Sequence, residues 1–272
     1  MANKDLTTIP LGSRITGPEI SYMEQGGNSR KWTADMMADF DFALARQRIL
    51  PVADTAAIDA MGVRVQTIGT GGPVVAACVS TNQLTSLRRT NYGNDATAAF
   101  SAGFYVDGPA LYLGDAASRG GFEATIGCGL QALNAAAQTR FFCGIAPETT
   151  PAGLEPSALL NTIGIGCDLA DTNLQLMHNN GAGVATKIDL GWPGKTAGEA
   201  WVLFLSALPF AQLVNYEVLR LSTGLSVSGI IAAELPVSTV FLGPCLYNNN
   251  GAGGGAGVLT PFLGYSARTK GL

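Results

Sequence analysis

Apolar and polar residues alternate along most of this chain at the spacing of strands rather than helices. The clearest case is residues 174–178 (Leu-Gln-Leu-Met-His), which lead into Asn179-Asn180-Gly181-Ala182-Gly183; beyond them Val184, Thr186, Ile188 and Leu190 alternate with Ala185, Lys187 and Asp189. Asn-Gly accepts the positive φ angles of tight hairpin turns. The pattern therefore predicts a hairpin whose return strand has one buried and one wet face. A second hairpin is predicted over 215–221 and 225–231, turning at Ser222-Thr223-Gly224. Residues 201–205 (Trp-Val-Leu-Phe-Leu) are apolar at every position, which predicts a central strand covered on both faces. Further strands are predicted at 74–79, 98–106, 122–130, 140–145, 240–246 and 258–265. Short strands at this spacing predict a mainly β chain folded as an antiparallel, jelly-roll-like β-sandwich.

The pattern differs near the N-terminus. Residues 15–23 read as extended. Thr33 is a good helix N-cap, and Met36, Met37, Phe40 and Leu44 then recur at three-to-four spacing, with Asp35, Asp39 and Asp41 at the start and Arg46 and Arg48 at the end. That is an amphipathic helix with its charges placed to suit the helix dipole, stopped by Leu50-Pro51. Val63 to Ile68 alternates like a short strand before Gly69-Thr70-Gly71-Gly72-Pro73 breaks it. The chain thus divides into a small N-terminal extended-plus-helix segment (1–48), a connector (49–73) and a β-sandwich domain (74–272). No solenoid or propeller repeat is present.

Composition narrows the function. Of 272 residues only 13% are charged and 35 are glycine, against about 25% charged in ordinary globular chains. A surface this poor in charge fits a structural protein largely covered by partner subunits. The net charge of −4 and the isolated pairs Arg30-Lys31 and Arg88-Arg89 argue against nucleic acid as a partner, which needs clustered Lys and Arg. No run of about 20 apolar residues is present, so no membrane insertion is expected. The start, Met-Ala-Asn-Lys-Asp, lacks the apolar core of a signal peptide. Synthesis in a cytoplasm, with release by cell lysis, is the expectation.

Candidate chemistry is sparse. Cys78, Cys128, Cys143, Cys167 and Cys245 have no zinc-like spacing and read as buried thiols. His178 is the only histidine; beside the Asn179-Asn180-Gly181 turn it reads as a hydrogen-bonded turn residue, and no Gly-x-Ser-x-Gly elbow accompanies it. Asp107, Asp115 and Glu123 are carboxylates of the kind glycan-cleaving enzymes pair, yet nothing pairs them in sequence. Asp168 and Asp171 suit either calcium or turn capping, with capping the simpler reading. Residues 251–257 are glycine-rich without the Lys-Ser/Thr of a phosphate loop. Asn248, Asn249 and Asn250 are candidates for offering amides to a sugar or a neighbouring subunit. No catalytic residue, metal site or cofactor is expected, and the chain is read as a non-enzyme.

Two segments resemble a known family. The order Asp5-Leu6-Thr7-Thr8-Ile9-Pro10, then Gly17-Pro18-Glu19-Ile20-Ser21-Tyr22-Met23-Glu24-Gln25-Gly26-Gly27-Asn28-Ser29-Arg30-Lys31-Trp32-Thr33, resembles the virion-attachment segment of tailed-phage fibre and spike proteins. Arg140-Phe141-Phe142-Cys143-Gly144-Ile145, then Asn161 to Gly166, Asp171 to Asn179 and Ala185 to Gly191, resemble a jelly-roll module of phage fibre and appendage proteins. The resemblance implies a virion structural protein (fibre, spike or head appendage), located in the virion and often a homotrimer. Its N-terminus would contact other virion proteins through Ile20, Tyr22, Gln25, Trp32, Met36 and Phe40, and its sandwich would face outward toward a host-surface glycan or protein. A connector or decoration protein with no receptor is the alternative, and a polysaccharide-degrading enzyme, usually a long repetitive β-helix, is the weakest reading.

Overall fold

The computed structural model describes residues 20–25, 28–33, 47–49, 58–60, 63–68, 74–76, 89–93, 101–107, 109, 111–114, 120–132, 139–147, 155–210, 212–249, 257–260 and 265–271. The chain forms two compact units, Met1–Arg46 and Gln47–Leu272. In the first, β1 (Ile20–Gln25) and β2 (Asn28–Thr33) pair antiparallel from Ile20 opposite Thr33 to Gln25 opposite Asn28. Only Gly26 and Gly27 join them, the short linkage that hairpins favour. The extended reading of residues 15–23 holds over Ile20 to Met23, while the return strand β2 is a finding of the structure; Ile20, Tyr22 and Gln25 lie on β1 and Trp32 on β2. Met36 and Phe40 lie outside the described residues, as does the body of the expected helix. At its far end the expectation fails, because Arg48 belongs to a strand, β3 (Gln47–Ile49). Pro51 disfavours helical backbone at Leu50, and the residues before it find an extended partner instead.

The second unit continues with β4 (Ile58–Ala60), β5 (Val63–Ile68), β6 (Val74–Ala76), β7 (Arg89–Gly93), β8 (Ser101–Asp107), β9 (Gly120–Ala132) and β10 (Arg140–Ala146). After a 3₁₀ turn at Pro156–Ala158 come β11 (Ile163–Cys167), β12 (Asn173–His178), β13 (Thr186–Pro193), β14 (Ala200–Ala207), β15 (Val214–Arg220), β16 (Leu225–Ile231), β17 (Gly243–Asn249), β18 (Gly257–Thr260) and β19 (Tyr265–Gly271). They build two antiparallel sheets. One has the order β13-β12-β11-β10-β17-β8-β5-β4. The other runs β16-β15-β14-β9-β18-β7-β6, with β19 also against β9 and β3 against β19. The long β9 is shared: Gly120 to Ile126 face β19 and Gly129 to Ala132 face β18. The fold is an antiparallel β-sandwich, as the alternation predicts.

Two stretches of the expected connector, β4 and β5, are strands of the first sheet. β5 pairs with β8 from Ile68 opposite Gly103 to Arg64 opposite Asp107, and β4 extends that sheet. The alternation of Val63 to Ile68 does mark the strand, but it carries no signal of a partner some forty residues ahead.

The core lies between the sheets. Phe141 of β10 stacks on Trp201 of β14, ring centroids 5.8 Å apart and planes 11° from parallel. Around them pack Phe104, Phe122, Ile126, Leu130, Ile165 and Leu246, all buried. A second, smaller apolar cluster covers the outside of the first sheet, where Phe142, Cys245, Tyr247 and Ala146 lie under Leu159. This explains why Phe141 and Phe142 are both apolar: one faces each core. At the opposite edge the turn of the β15–β16 hairpin is pinned by Glu199, which accepts from Arg220 Nη2 at 2.6 Å, Arg220 Nε at 2.9 Å and Ser222 Oγ at 2.7 Å.

Candidate binding surface

The strand registers bring several loops to one end of the sandwich. In the first sheet Ala146 lies opposite Gly243, Ile145 opposite Ile163, Ile163 opposite His178, and His178 opposite Thr186. In the second, Ala207 lies opposite Phe122 and Val214 opposite Ile231. The loops that leave these strand ends are tied together by backbone hydrogen bonds. Leu111 and Leu242 exchange a pair, Phe210 N donates to Leu113 O at 2.9 Å, and Gly114 N donates to Ser238 O at 3.0 Å. Gly121 has φ +71°, and a Cβ there would lie 2.5 Å from Pro209 N. Only glycine lets the 208–213 loop close onto β9 at this point.

This end carries an unusual surface. Leu208 is 64% exposed and Val184 70% exposed, and Phe210, Leu213, Val237 and Phe241 are also exposed. Leu160 and Ile230 border them. Elsewhere among the described residues the large exposed apolar side chains are scattered: Leu169, Phe204 and Leu225. Phe241 packs its ring against Tyr112 at 5.1 Å. Among the described residues of the 179–185, 208–213 and 232–242 loops Glu234 is the one charged side chain. Among the described residues those other than glycine with left-handed backbone, Asn161 (φ +53°), Phe210 (φ +54°) and Glu234 (φ +48°), all sit here. For Phe and Glu this conformation costs about 1–2 kcal/mol, and such strain gathers where function requires a shape.

Polar side chains under the surface hold it in place. His178 is buried, with Nδ1 3.1 Å from Glu234 O, so it is the hydrogen-bonded residue at the turn that its position predicts. Asn161 Oδ1 accepts from Val237 N at 3.0 Å, and Asn179 Oδ1 accepts from Gly181 N at 2.6 Å. The sandwich end is a preformed platform.

Other expectations resolve differently. Asp168 and Asp171 do flank a cation, but it is the Lys187 ammonium, 2.6 Å from Asp168 and 2.8 Å from Asp171. Asp171 also accepts from Asp168 N at 2.8 Å and Asp168 from Ser157 N at 3.0 Å, the turn-capping role. Burial pulls the Lys187 pKa down, but hydrogen bonds to Asp168 and Asp171 outweigh it and leave it above the ordinary lysine value. Its stabilisation is therefore complete below about pH 10.5, the ordinary lysine value, and is lost only as pH climbs through the raised value. Replacing Lys187 by Met is expected to cost about 1.5–3 kcal/mol, the worth of hydrogen bonds to charged groups. In urea titrations the deficit should be constant from pH 7 to 9 and shrink in stronger alkali; no deficit at pH 7 would mean the cluster is idle.

Asn248 and Asn249 do not offer amides outward. Both are buried in β17, and Asn248 Nδ2 donates to Tyr92 O at 2.6 Å across the core. Asn250 and Asp115 are outside the described residues. Asp107 and Glu123 belong to different sheets. Cys128, Cys143, Cys167 and Cys245 are buried thiols, and burial pushes Cys167 up to about 12, which makes it inert. Among the described residues no three His, Cys, Asp or Glu side chains gather as a metal site would require, and no helix is long and apolar enough to cross a membrane.

No protein-family model and no curated protein matches this sequence. Among solved structures the chain is similar to peanut lectin with a nine-residue peptide, at TM-score 0.52 and 11% identity over 84% of this chain and 97% of that one. A seed lectin of Lotus tetragonolobus (TM-score 0.49, 9% identity, 80% and 97% coverage) and lectin II from Ulex europaeus (0.48, 9%, 83% and 97%) are also similar. At such identities the peanut lectin likeness shows a shared sandwich fold.

Proposed function

We propose that this chain is a structural protein of a tailed-phage virion, a fibre, spike or head appendage, that works by binding rather than catalysis. Its N-terminal hairpin unit anchors it to other virion proteins, and the platform of its sandwich meets a glycan or protein of the host surface. The observation that carries the binding role is the platform itself. A charge-poor apolar surface at one end, built on left-handed Phe210 and Glu234 and locked by buried His178 and Asn179, is costly to leave in water and is shaped in advance of a partner. A sandwich shared with a lectin, a binding protein, supports the same reading. The anchoring role rests on the N-terminal resemblance and on the separation of Met1–Arg46 as a unit of its own. Several copies per particle would turn a modest contact into firm adsorption.

The test uses particles assembled with the full chain. Phe210→Ser with Phe241→Ser is expected to leave incorporation into particles intact and to lower adsorption to host cells at least tenfold, the loss of about 1.4 kcal/mol. Deleting residues 1–46 is expected to abolish incorporation. If the serine pair instead abolishes incorporation and adsorption needs no part of the sandwich, the protein is a connector between virion components.

A further inference from the structure

We infer that β16 is a docking edge for the β16 of a second copy, the two strands pairing antiparallel about a twofold axis to join two sheets into one. β16 ends its sheet, and among the described residues its one strand partner is β15. All seven residues pair with β15 without a bulge, from Leu225 opposite Arg220 to Ile231 opposite Val214. In an antiparallel ladder alternate residues then turn their N–H and C=O groups away from β15, a row that another strand can satisfy.

Sheets ordinarily protect such edges with short strands, charges, proline or bulges, and among the described residues the other sheet edges of this unit are protected. β3, β4 and β6 have three residues each. β13 carries Lys187, Asp189 and Pro193, and its register against β12 shifts between Asn173 and Gln175. β16, Leu-Ser-Val-Ser-Gly-Ile-Ile, has none of these devices. Leu225 is 59% exposed and Ile230 60% exposed, and both serines face water.

The sequence selects a copy of itself as the occupant. Laid antiparallel and centred on Ser228, β16 sets Leu225 opposite Ile231 and Val227 opposite Gly229 on the core side. On the outer side it sets Ser226 opposite Ile230. Each apolar exposed residue gains cover, and no charge meets a like charge because the strand has none. Such self-pairing demands a twofold axis and cannot close a threefold ring. The inference stands on this edge alone and does not depend on what the platform binds.

Sedimentation equilibrium of the full chain at micromolar concentration tests it. The wild type is expected to be a dimer. Ser226→Lys with Ser228→Lys should give a monomer with unchanged circular dichroism, as should Ser226→Glu with Ser228→Glu. Mixing the two variants should restore a dimer containing one of each. A wild-type monomer or trimer, a lysine variant that stays dimeric, or a mixture that stays monomeric would overturn the proposal.

Discussion

Trp201→Ala is expected to destabilise the sandwich by about 3–5 kcal/mol, the range for removing a large buried aromatic. Most domains are stable by only about 5–15 kcal/mol, so the variant should approach unfolding at physiological temperature. The size of the effect follows from position. Trp201 is fully buried, sits on a central strand between β15 and β9, and lays its ring against Phe141 from the facing sheet. The cavity would open where the stacked rings of the two sheets meet, and β-strands locked on both sides cannot collapse into it. Phe204, three residues on, is the control. It occupies the same strand but points outward and is 39% exposed, so Phe204→Ala should cost about 1 kcal/mol or less. Guanidinium titration of both variants decides the matter; equal losses would mean that the ring stack does not join the sheets.

That contrast also shows what alternation can and cannot reveal. Residues 201–205 read as covered on both faces, and Val202 is indeed buried, but the outer face is open at Phe204. An apolar residue on a wet face leaves the same mark in sequence as one under a second layer. The two hairpins are legible because Asn179-Asn180-Gly181 and Ser222-Thr223-Gly224 are local signals, and both form. Even there the wet and dry faces of the return strand are blurred at its start: Val184 is exposed and Ala185 buried, because Ala185 N donates to Ser157 O before β13 begins. Non-local facts were out of reach. The pairing of β5 with β8, the burial of Asn248 and the Lys187 bridge between Asp168 and Asp171 all depend on residues far apart in sequence. The platform is the same kind of fact. Leu160, Leu208, Val237 and Phe241 carry no shared motif, and only the strand registers gather them. The expected N-terminal helix is contradicted only at its far end, where Pro51 and the β19 ladder pull Arg48 into a strand.

Gly164→Val is expected to cost about 3 kcal/mol or more, at or beyond the upper end of the usual overpacking range. Gly164 lies directly opposite Gly144 between β10 and β11, and the Phe142 ring lies across the pair. A Cβ on Gly164 would stand 2.5 Å from Phe142 Cζ and 2.7 Å from Cys143 O. The ring is confined by Tyr247, stacked 6.4 Å away, and by Leu159 above; the carbonyl belongs to a strand and cannot move without breaking the ladder. Gly183→Ala separates this clash from backbone strain. Gly183 has φ +68° and nothing within 4 Å of its would-be Cβ, so alanine there should cost only the left-handed penalty of about 1–2 kcal/mol. Combining Gly164→Val with Phe142→Leu should recover part of the loss if the ring is the main obstacle. If the two losses simply add, the Cys143 carbonyl sets the limit, and the spacing of β10 and β11 is what demands glycine.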